Sequence, residues 1–148
     1  VLRRVLRLAR EALRECGKSL RRAKVTILGV SYKANVKNPV GSKAAELVKA
    51  LRRRCRCVTV WDPFYTRPEL EALGYPAAPS FTEALREADC IIITVGHAKF
   101  KELDLRALKS LTPQRAAIVD AAGVVEPARA REHGFIFKGL GRPKSHSA

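Results

Sequence analysis

Short apolar runs alternate with amphipathic segments along most of the chain. Each run has the length of a β-strand, and most are rich in β-branched residues. The predicted strands are Val25–Gly29, Cys57–Trp61, Cys90–Val95, Ala116–Val119 and Phe135–Phe137. Strands joined by helical crossovers favour parallel pairing. The pattern therefore predicts an α/β fold with a Rossmann-like, doubly wound, mainly parallel five-stranded sheet and flanking helices.

The first 16 residues carry apolar side chains at helical spacing on one face and arginines on the other. Gly17 supplies a stop signal for this helix. Because the chain starts inside the helical pattern without an initiator Met, we interpret residues 1–23 as a basic linker helix that joins this domain to a missing neighbour. An α/β domain is predicted over residues 24–142, followed by a mobile tail at 143–148.

Capping side chains mark several of the predicted helix starts. Ser42 and Asp104 are each predicted as an N-cap, and Ser80 and Glu83 have the spacing of a capping box. The predicted helices are 42–54, 67–73, 80–88, 104–108 and 127–134.

The charge is strongly positive, at +15 for 148 residues, and much of it falls before Lys24. Such a field attracts nucleic acid, nucleotides or acidic partners. We favour solvated basic helix faces on a highly charged protein, because no set of stacking aromatic residues accompanies the charge and nucleic-acid binding is therefore disfavoured.

Two further classes are disfavoured by the sequence. No apolar run approaches the roughly 18 residues of a membrane span, and no secretory signal is present, so we expect a soluble, cytoplasmic protein. The four cysteines lack the C-x-x-C spacing of a zinc site, so no metal site and no thiol redox role is predicted. Cys90 opens an apolar strand and is expected in the core.

The segment Lys24–Pro39 holds the strongest signal for chemistry: a strand, a glycine turn with a lysine, and then a helix. This order places a cation and free backbone N–H groups at the carboxyl edge of the sheet, where α/β folds bind anions. Only Gly29 of a G-x-G-x-x-G pattern is present, so NAD binding at this turn is disfavoured. We expect Lys33 to face a phosphate and Tyr32 a base or sugar; the alternative is a surface lysine and a core aromatic residue.

Other polar residues follow the predicted strands, and these loops are expected to line the same cleft. The candidates are Asn35 after the first strand, Asp62 after the second, His97 after the third and Asp120 after the fourth. His97 is either a general acid or base or, as is more common, a hydrogen-bonding residue. Each aspartate either binds a ribose hydroxyl or caps a turn, and capping is favoured.

The run G-V-S-Y-K-A-N-V-K-N-P-V-G-S-K-A-A-E-L resembles the signature G-[LF]-[AST]-[YF]-K-x-[ND]-x-x-D-x-R-x-S-x-A. That signature belongs to the C-terminal domain of the UDP-glucose/GDP-mannose dehydrogenase family. Further matches follow in order in V-T-V-W-D-P, A-D-C-I-I-I-T-V-G-H, A-I-V-D-A-A-G and F-K-G-L-G-R. The resemblance covers residues 24–142.

The resemblance implies a nucleotide-sugar dehydrogenase that oxidises the C6 alcohol of a UDP-sugar to a carboxylate in two NAD-dependent steps. In this family an N-terminal domain binds NAD, a central helical domain supplies the catalytic cysteine and the dimer contact, and the C-terminal domain binds the nucleotide. By resemblance, Tyr32, Lys33 and Arg142 contact the UDP-sugar, and the linker helix of residues 1–23 is the end of the missing central domain. No catalytic residue is expected in this chain, which alone should be inactive, and UDP-glucose or UDP-N-acetylmannosamine is the expected substrate.

Three positions depart from the family pattern. Asn38 and Val40 replace the acid and arginine of D-x-R, and Ala122 replaces the arginine of a later D-x-R-N turn. Neither Val nor Ala can replace an arginine that binds an anion through two hydrogen bonds. The alternative is therefore a divergent, non-catalytic binding or assembly module that has lost the nucleotide.

Overall fold

Five parallel strands form one sheet in the order β2-β1-β3-β4-β5. The computed structural model describes residues 2–139. The strands are β1 (Lys24–Leu28), β2 (Cys57–Trp61), β3 (Cys90–Ile93), β4 (Ala116–Asp120) and β5 (Phe135–Gly139). The helices are α1 (Leu2–Glu15), α2 (Ala44–Arg52), α3 (Arg67–Ala72), α4 (Phe81–Leu85), α5 (Ala98–Lys101), α6 (Leu105–Leu111) and α7 (Pro127–Glu132), with a 3-10 turn at Leu20–Arg22. The predicted α/β sheet is confirmed.

The strand order reverses between β1 and β3. After β1 the chain adds β2 on one side, then crosses back to place β3, β4 and β5 on the other. The register brings the ends together, since Leu28 lies opposite both Trp61 and Ile93, and Ile93 opposite Asp120. Loops after these strands consequently meet at one edge, and the reversal opens a crevice there.

Helices cover both faces of the sheet with apolar side chains. On one face, Leu13 of α1, Leu51 of α2 and Leu70 of α3 are fully buried. On the other face, residues of α4 to α7 pack together, including the buried Phe100 of α5. Each fully buried Leu or Phe contributes roughly 1.5–3 kcal/mol to folding. The two apolar layers hold the carboxyl edge of the sheet in place.

Helix α1 lies against β3, β4 and β5. Ala9 and Ala12 are fully buried, and their small side chains allow the helix to lie close to the strands. Glu15 pairs with Lys138 of β5 at 2.5 Å, and Lys18 pairs with the buried Asp89 at 2.7 Å. The predicted amphipathic helix is confirmed, and its apolar face is used within this domain.

Helix starts follow the predicted caps with one exception. Ser80 and Asp104 each accept a backbone N–H at 3.1 Å, as predicted. The prediction of Ser42 as N-cap was wrong by one residue: Lys43 holds that position, while Ser42 Oγ accepts the Ala44 N–H at 3.1 Å. The short helix α5 was not predicted, because four residues are too few to show a period.

Two sequence expectations concern what the described residues contain. None of the helices within residues 2–139 has the length and apolar character of a bilayer span. In the same range no group of three potential metal-ligating side chains comes together. Cys90 is fully buried, as predicted, and burial raises the pKa of its thiol.

We expect the Cys90 thiol to resist DTNB in the folded chain, because it is buried and remains protonated. The partly exposed Cys57 is the internal control and should react in the folded chain, without denaturant. Mass spectrometry of the labelled peptides distinguishes the two sites, and labelling in urea should reach all four cysteines. Equal native rates at Cys57 and Cys90 would contradict the buried assignment.

Candidate functional site

A cavity of about 360 Å³ opens at the carboxyl edge of the sheet, beside the crevice between β1 and β3. It is formed by the loop after β1, the start of α2 and the end of β3. Its lining residues are Ser31, Tyr32, Lys33, Gly41, Ser42, Lys43 and Thr94. The structure thus brings Tyr32 and Lys33 together at the edge that the sequence indicates.

Gly29 shapes the turn that carries these residues. Its φ of +107° suits glycine, and a Cβ at this position would lie 2.4 Å from Val95 Cγ1. Thr94 Oγ1 donates to the Gly29 carbonyl oxygen at 2.6 Å. The loops after β1 and β3 therefore touch directly beneath the cavity.

Tyr32 lies on the surface and not in the core, since it is 56% exposed. Its ring lies over Gly41, where a Cβ would be 3.2 Å from Tyr32 Cδ1. The Tyr32 N–H donates to the Asn38 carbonyl oxygen at 2.7 Å and closes residues 30–38, here called loop 30–38. This excludes the core aromatic alternative and presents one face of the ring to a ligand.

The two lysines of loop 30–38 differ in their partners. Lys37 Nζ lies 2.6 Å from Glu69 Oε2, and this bond lowers the pKa of the Glu69 carboxyl. Across residues 2–139, neither Lys33 nor Lys43 forms an ion pair. Two lysines without a carboxylate partner among the described residues thus line the cavity, and their charge is available to an anion.

Ser31 adds an unusual buried hydroxyl to the cavity wall. The residue is 4% exposed, and its Oγ has no hydrogen-bond partner among the described residues. Buried polar side chains are usually paired. The Ser31 hydroxyl is an exception to this rule among the described residues.

Asp62 and His97 form a buried pair below loop 30–38. Both are fully buried, and His97 Nε2 lies 2.9 Å from Asp62 Oδ2. His97 Nδ1 accepts the Asn35 N–H at 2.9 Å, which assigns the Nε2–H tautomer from the hydrogen-bond network. Both ring nitrogens are therefore occupied, which leaves none to exchange a proton with a substrate.

Asp62 and Asn35 make further hydrogen bonds that support loop 30–38. Asp62 Oδ2 also accepts the Val30 N–H, and Oδ1 accepts the Phe64 N–H, both at 2.8 Å. Asn35 Oδ1 accepts the Ala98 N–H at 2.8 Å. These three polar residues, Asn35, Asp62 and His97, hold the loop from beneath and do not line the cavity.

Asp120 stabilises the turn after β4. The side chain is almost fully buried, and Oδ1 accepts the N–H groups of Ala122 and Gly123 at 2.9 and 2.8 Å. Oδ2 accepts the Val125 N–H at 2.7 Å. The favoured turn-capping interpretation agrees with this geometry. Arg142, predicted to contact the nucleotide, lies outside the described residues.

Lys43 was missed by the sequence reasoning, although a signal was present. A cation at the start of a helix opposes the helix dipole, so a lysine there suggests another role. Lys43 and Thr94 also border a second, mainly apolar cavity of about 310 Å³. Its other lining residues are Leu2, Val5, Glu46, Leu47 and Ala121. The two cavities adjoin at Lys43.

Comparison with known proteins identifies the family of this chain. The signature of the UDP-glucose/GDP-mannose dehydrogenase family, UDP binding domain, matches residues 26–127. The chain belongs to this family. The matched range includes the whole cavity wall from Ser31 to Thr94, and the resemblance seen in the sequence is confirmed.

Relatives of this family differ in substrate. A UDP-glucose 6-dehydrogenase of Rhizobium meliloti is 30% identical over 139 residues, which is 92% of this chain and 31% of the relative. A UDP-N-acetyl-D-mannosamine dehydrogenase of Methanococcus maripaludis is 25% identical and aligns with 82% of this chain and 28% of its own length. This chain therefore spans less than a third of each.

A solved structure agrees on the fold. The NDP-N-acetyl-D-galactosaminuronic acid dehydrogenase of Methanosarcina mazei Go1 superposes with a TM-score of 0.85 over 99% of this chain and 30% of its own. Its sequence identity is 24%, so it supports the fold.

Two family departures lie beside the site. Val40 is 77% exposed, and its N–H donates to Asn38 Oδ1 at 3.1 Å. Ala122 is held by its backbone to Asp120. Neither position supplies a cation, so any positive charge on this cavity comes from other residues.

Proposed function

We propose that this domain binds the diphosphate of a UDP-sugar in the cavity bordered by Lys33 and Lys43. One observation carries the proposal: Lys33 is one of the residues that line the cavity, and within residues 2–139 it has no carboxylate partner. A lysine ammonium suits phosphate as a compact point charge. Membership of a family whose domain is described as UDP-binding supports the same ligand.

The charged and aromatic wall residues each have a role in this proposal. Lys33 neutralises diphosphate charge, and the exposed Tyr32 ring packs beside the nucleotide. Lys43 supplies a second charge near the position where Val40 replaces the family arginine. Arg142 is also proposed to contact the nucleotide.

The whole protein is proposed to be an NAD-dependent UDP-sugar 6-dehydrogenase. NAD, held by a domain outside this chain, accepts hydride as the sugar C6 alcohol becomes a carboxylate. We further propose that residues 1–23 join this domain to a central domain, through which the protein forms a homodimer. UDP-glucose and UDP-N-acetylmannosamine are the proposed substrates, and the cytoplasm, where free cysteines persist, is the proposed location. This chain alone is expected to be catalytically inactive.

A second candidate is a binding or assembly module without nucleotide. Val40 and Ala122 favour it, because each stands where the family pattern has an arginine. The two candidates differ in one measurable property, the affinity of this domain for UDP.

Calorimetry on the 148-residue chain with UDP and UDP-glucose tests the proposal. We expect a millimolar or tighter Kd, and Lys33→Ala should weaken it by roughly 10- to 100-fold, since a hydrogen bond to a charged group contributes about 1.5–3 kcal/mol. Lys37→Ala is the matched control, with the same charge change in the same loop but an ammonium held by Glu69. It should change Kd less than threefold, roughly the effect of a screened, exposed ion pair.

Three results would contradict the proposal. Absence of UDP binding up to millimolar concentration would favour the assembly module. Equal losses for Lys33→Ala and Lys37→Ala would indicate a general field effect. Unchanged binding by Lys33→Ala would place the nucleotide elsewhere.

A further inference from the structure

Loop 30–38 is attached to the segment after β3 by a reciprocal pair of hydrogen bonds. The Asn35 N–H donates to His97 Nδ1 at 2.9 Å, and the Ala98 N–H donates to Asn35 Oδ1 at 2.8 Å. We call Asn35, His97 and the Ala98 backbone the latch. It bridges the crevice between β1 and β3, and Asn35 is two residues from Lys33.

We propose that Asn35 and His97 are positioning residues that fix Lys33 against the cavity by way of the latch. The proposal rests on the function proposed above for Lys33. In this proposal His97 positions Lys33 through Asn35 and makes no contact with the reacting sugar.

The backbone of Asn35 is shaped for this contact. Its φ is +61°, in the left-handed region, so its N–H and its side-chain oxygen both face the segment 97–98. Asn enters this region more readily than most residues. Most other side chains would keep this turn only with strain, and a residue without a side-chain oxygen here would lose the bond from the Ala98 N–H.

Asp62 sets the direction of the latch. Its Oδ2 accepts the Nε2–H of His97, which leaves Nδ1 as the acceptor that the Asn35 N–H needs. The rings of Phe64 and Phe100 pack around the imidazole, with centroids at 4.8 and 5.4 Å. The imidazole is thus held in one orientation and one tautomer.

A latched loop favours binding because little conformational freedom remains to be lost when the ligand binds. Lys33 and Tyr32 have exposed side chains, but their backbone is closed by the Tyr32 to Asn38 bond on one side and by the latch on the other. If the latch is broken, the ligand has to order the loop as it binds, and its affinity falls.

Asn35→Gly tests the latch most directly. Glycine accepts a positive φ and keeps the backbone N–H, so the main loss is the oxygen that accepts the Ala98 N–H. We expect UDP-glucose affinity to fall about tenfold and amide exchange over residues 32–38 to accelerate, with a small change in the urea midpoint. Asn38→Gly is the matched control: the same substitution, in the same loop, outside the latch.

Asn35→Asp should restore slow amide exchange, because a carboxylate oxygen can accept the Ala98 N–H. Nitrogen-15 spectra of His97 give an independent readout of the Nε2–H tautomer. The opposite tautomer, or equal behaviour of Asn35→Gly and Asn38→Gly in both affinity and exchange, would overturn the latch. If the unmodified chain does not bind UDP-glucose, the proposed function fails, while amide exchange in the same variants still decides whether the latch exists.

Discussion

Gly29→Ala is expected to destabilise the chain by roughly 2–5 kcal/mol. A positive φ costs a residue with a side chain about 1–2 kcal/mol. The new methyl group would also lie 2.4 Å from Val95 Cγ1 and 3.0 Å from Thr94 Oγ1, so the loop after β3 has to move. Overpacking of this kind costs about 1–3 kcal/mol. Urea unfolding, with the midpoint and slope fitted together, gives the free energy of unfolding.

Gly74→Ala is the control for the backbone term. Gly74 also has a positive φ, of +93°, but a Cβ there meets no atom within 4 Å. It should therefore cost only the conformational part, about 1–2 kcal/mol. Equal losses for the two variants would show that the close approach of the β1 and β3 loops is not a constraint.

Asp62→Ala is expected to cost about 3–5 kcal/mol of unfolding free energy. The carboxylate is fully buried and accepts hydrogen bonds from the Val30 N–H, the Phe64 N–H and His97 Nε2. Removing the charged acceptor leaves these donors without a hydrogen-bond partner inside the protein. The resulting penalty in free energy is larger than the average net contribution of the hydrogen bonds themselves. The same urea experiment measures the loss.

Two further variants serve as references for the loss measured with Asp62→Ala. Asp62→Asn keeps one oxygen acceptor, so its loss should fall between zero and that of Asp62→Ala. Asp104→Ala removes an exposed helix cap that accepts one N–H, and should cost about 1 kcal/mol. If Asp62→Ala were no worse than Asp104→Ala, the buried network would not be a major support of the loop.

Strand positions were predictable because buried parallel strands appear as apolar runs. Cys57–Trp61 was predicted with the bounds that the structure shows, the first strand is shifted by one residue at both ends, and the other three differ by one or two residues at their carboxyl ends. The third strand ends at Ile93 and not Val95, because the chain turns where Gly29 and Thr94 meet. Helix ends were less predictable: α4 stops at Leu85, before Glu87 takes a positive φ of 59°.

The site was predictable where it depends on topology. Tyr32 and Lys33 follow the first strand, and the sheet order alone places such a loop at the crevice. The Asp62 and His97 pair was not predictable, since the two residues are 35 positions apart and neither has a local pattern that names its partner. Lys43 was not predicted, because it lies at the start of α2 and not at the end of a strand.

Helix α1 begins beside the proposed nucleotide site. Leu2 and Val5 line the cavity that shares Lys43 and Thr94 with the proposed nucleotide site. The same helix is bound at its other end to β5 through Glu15 and Lys138. Since Leu2 and Val5 form part of its wall, any change in how α1 packs on the sheet would alter the shape of the cavity next to the proposed nucleotide site.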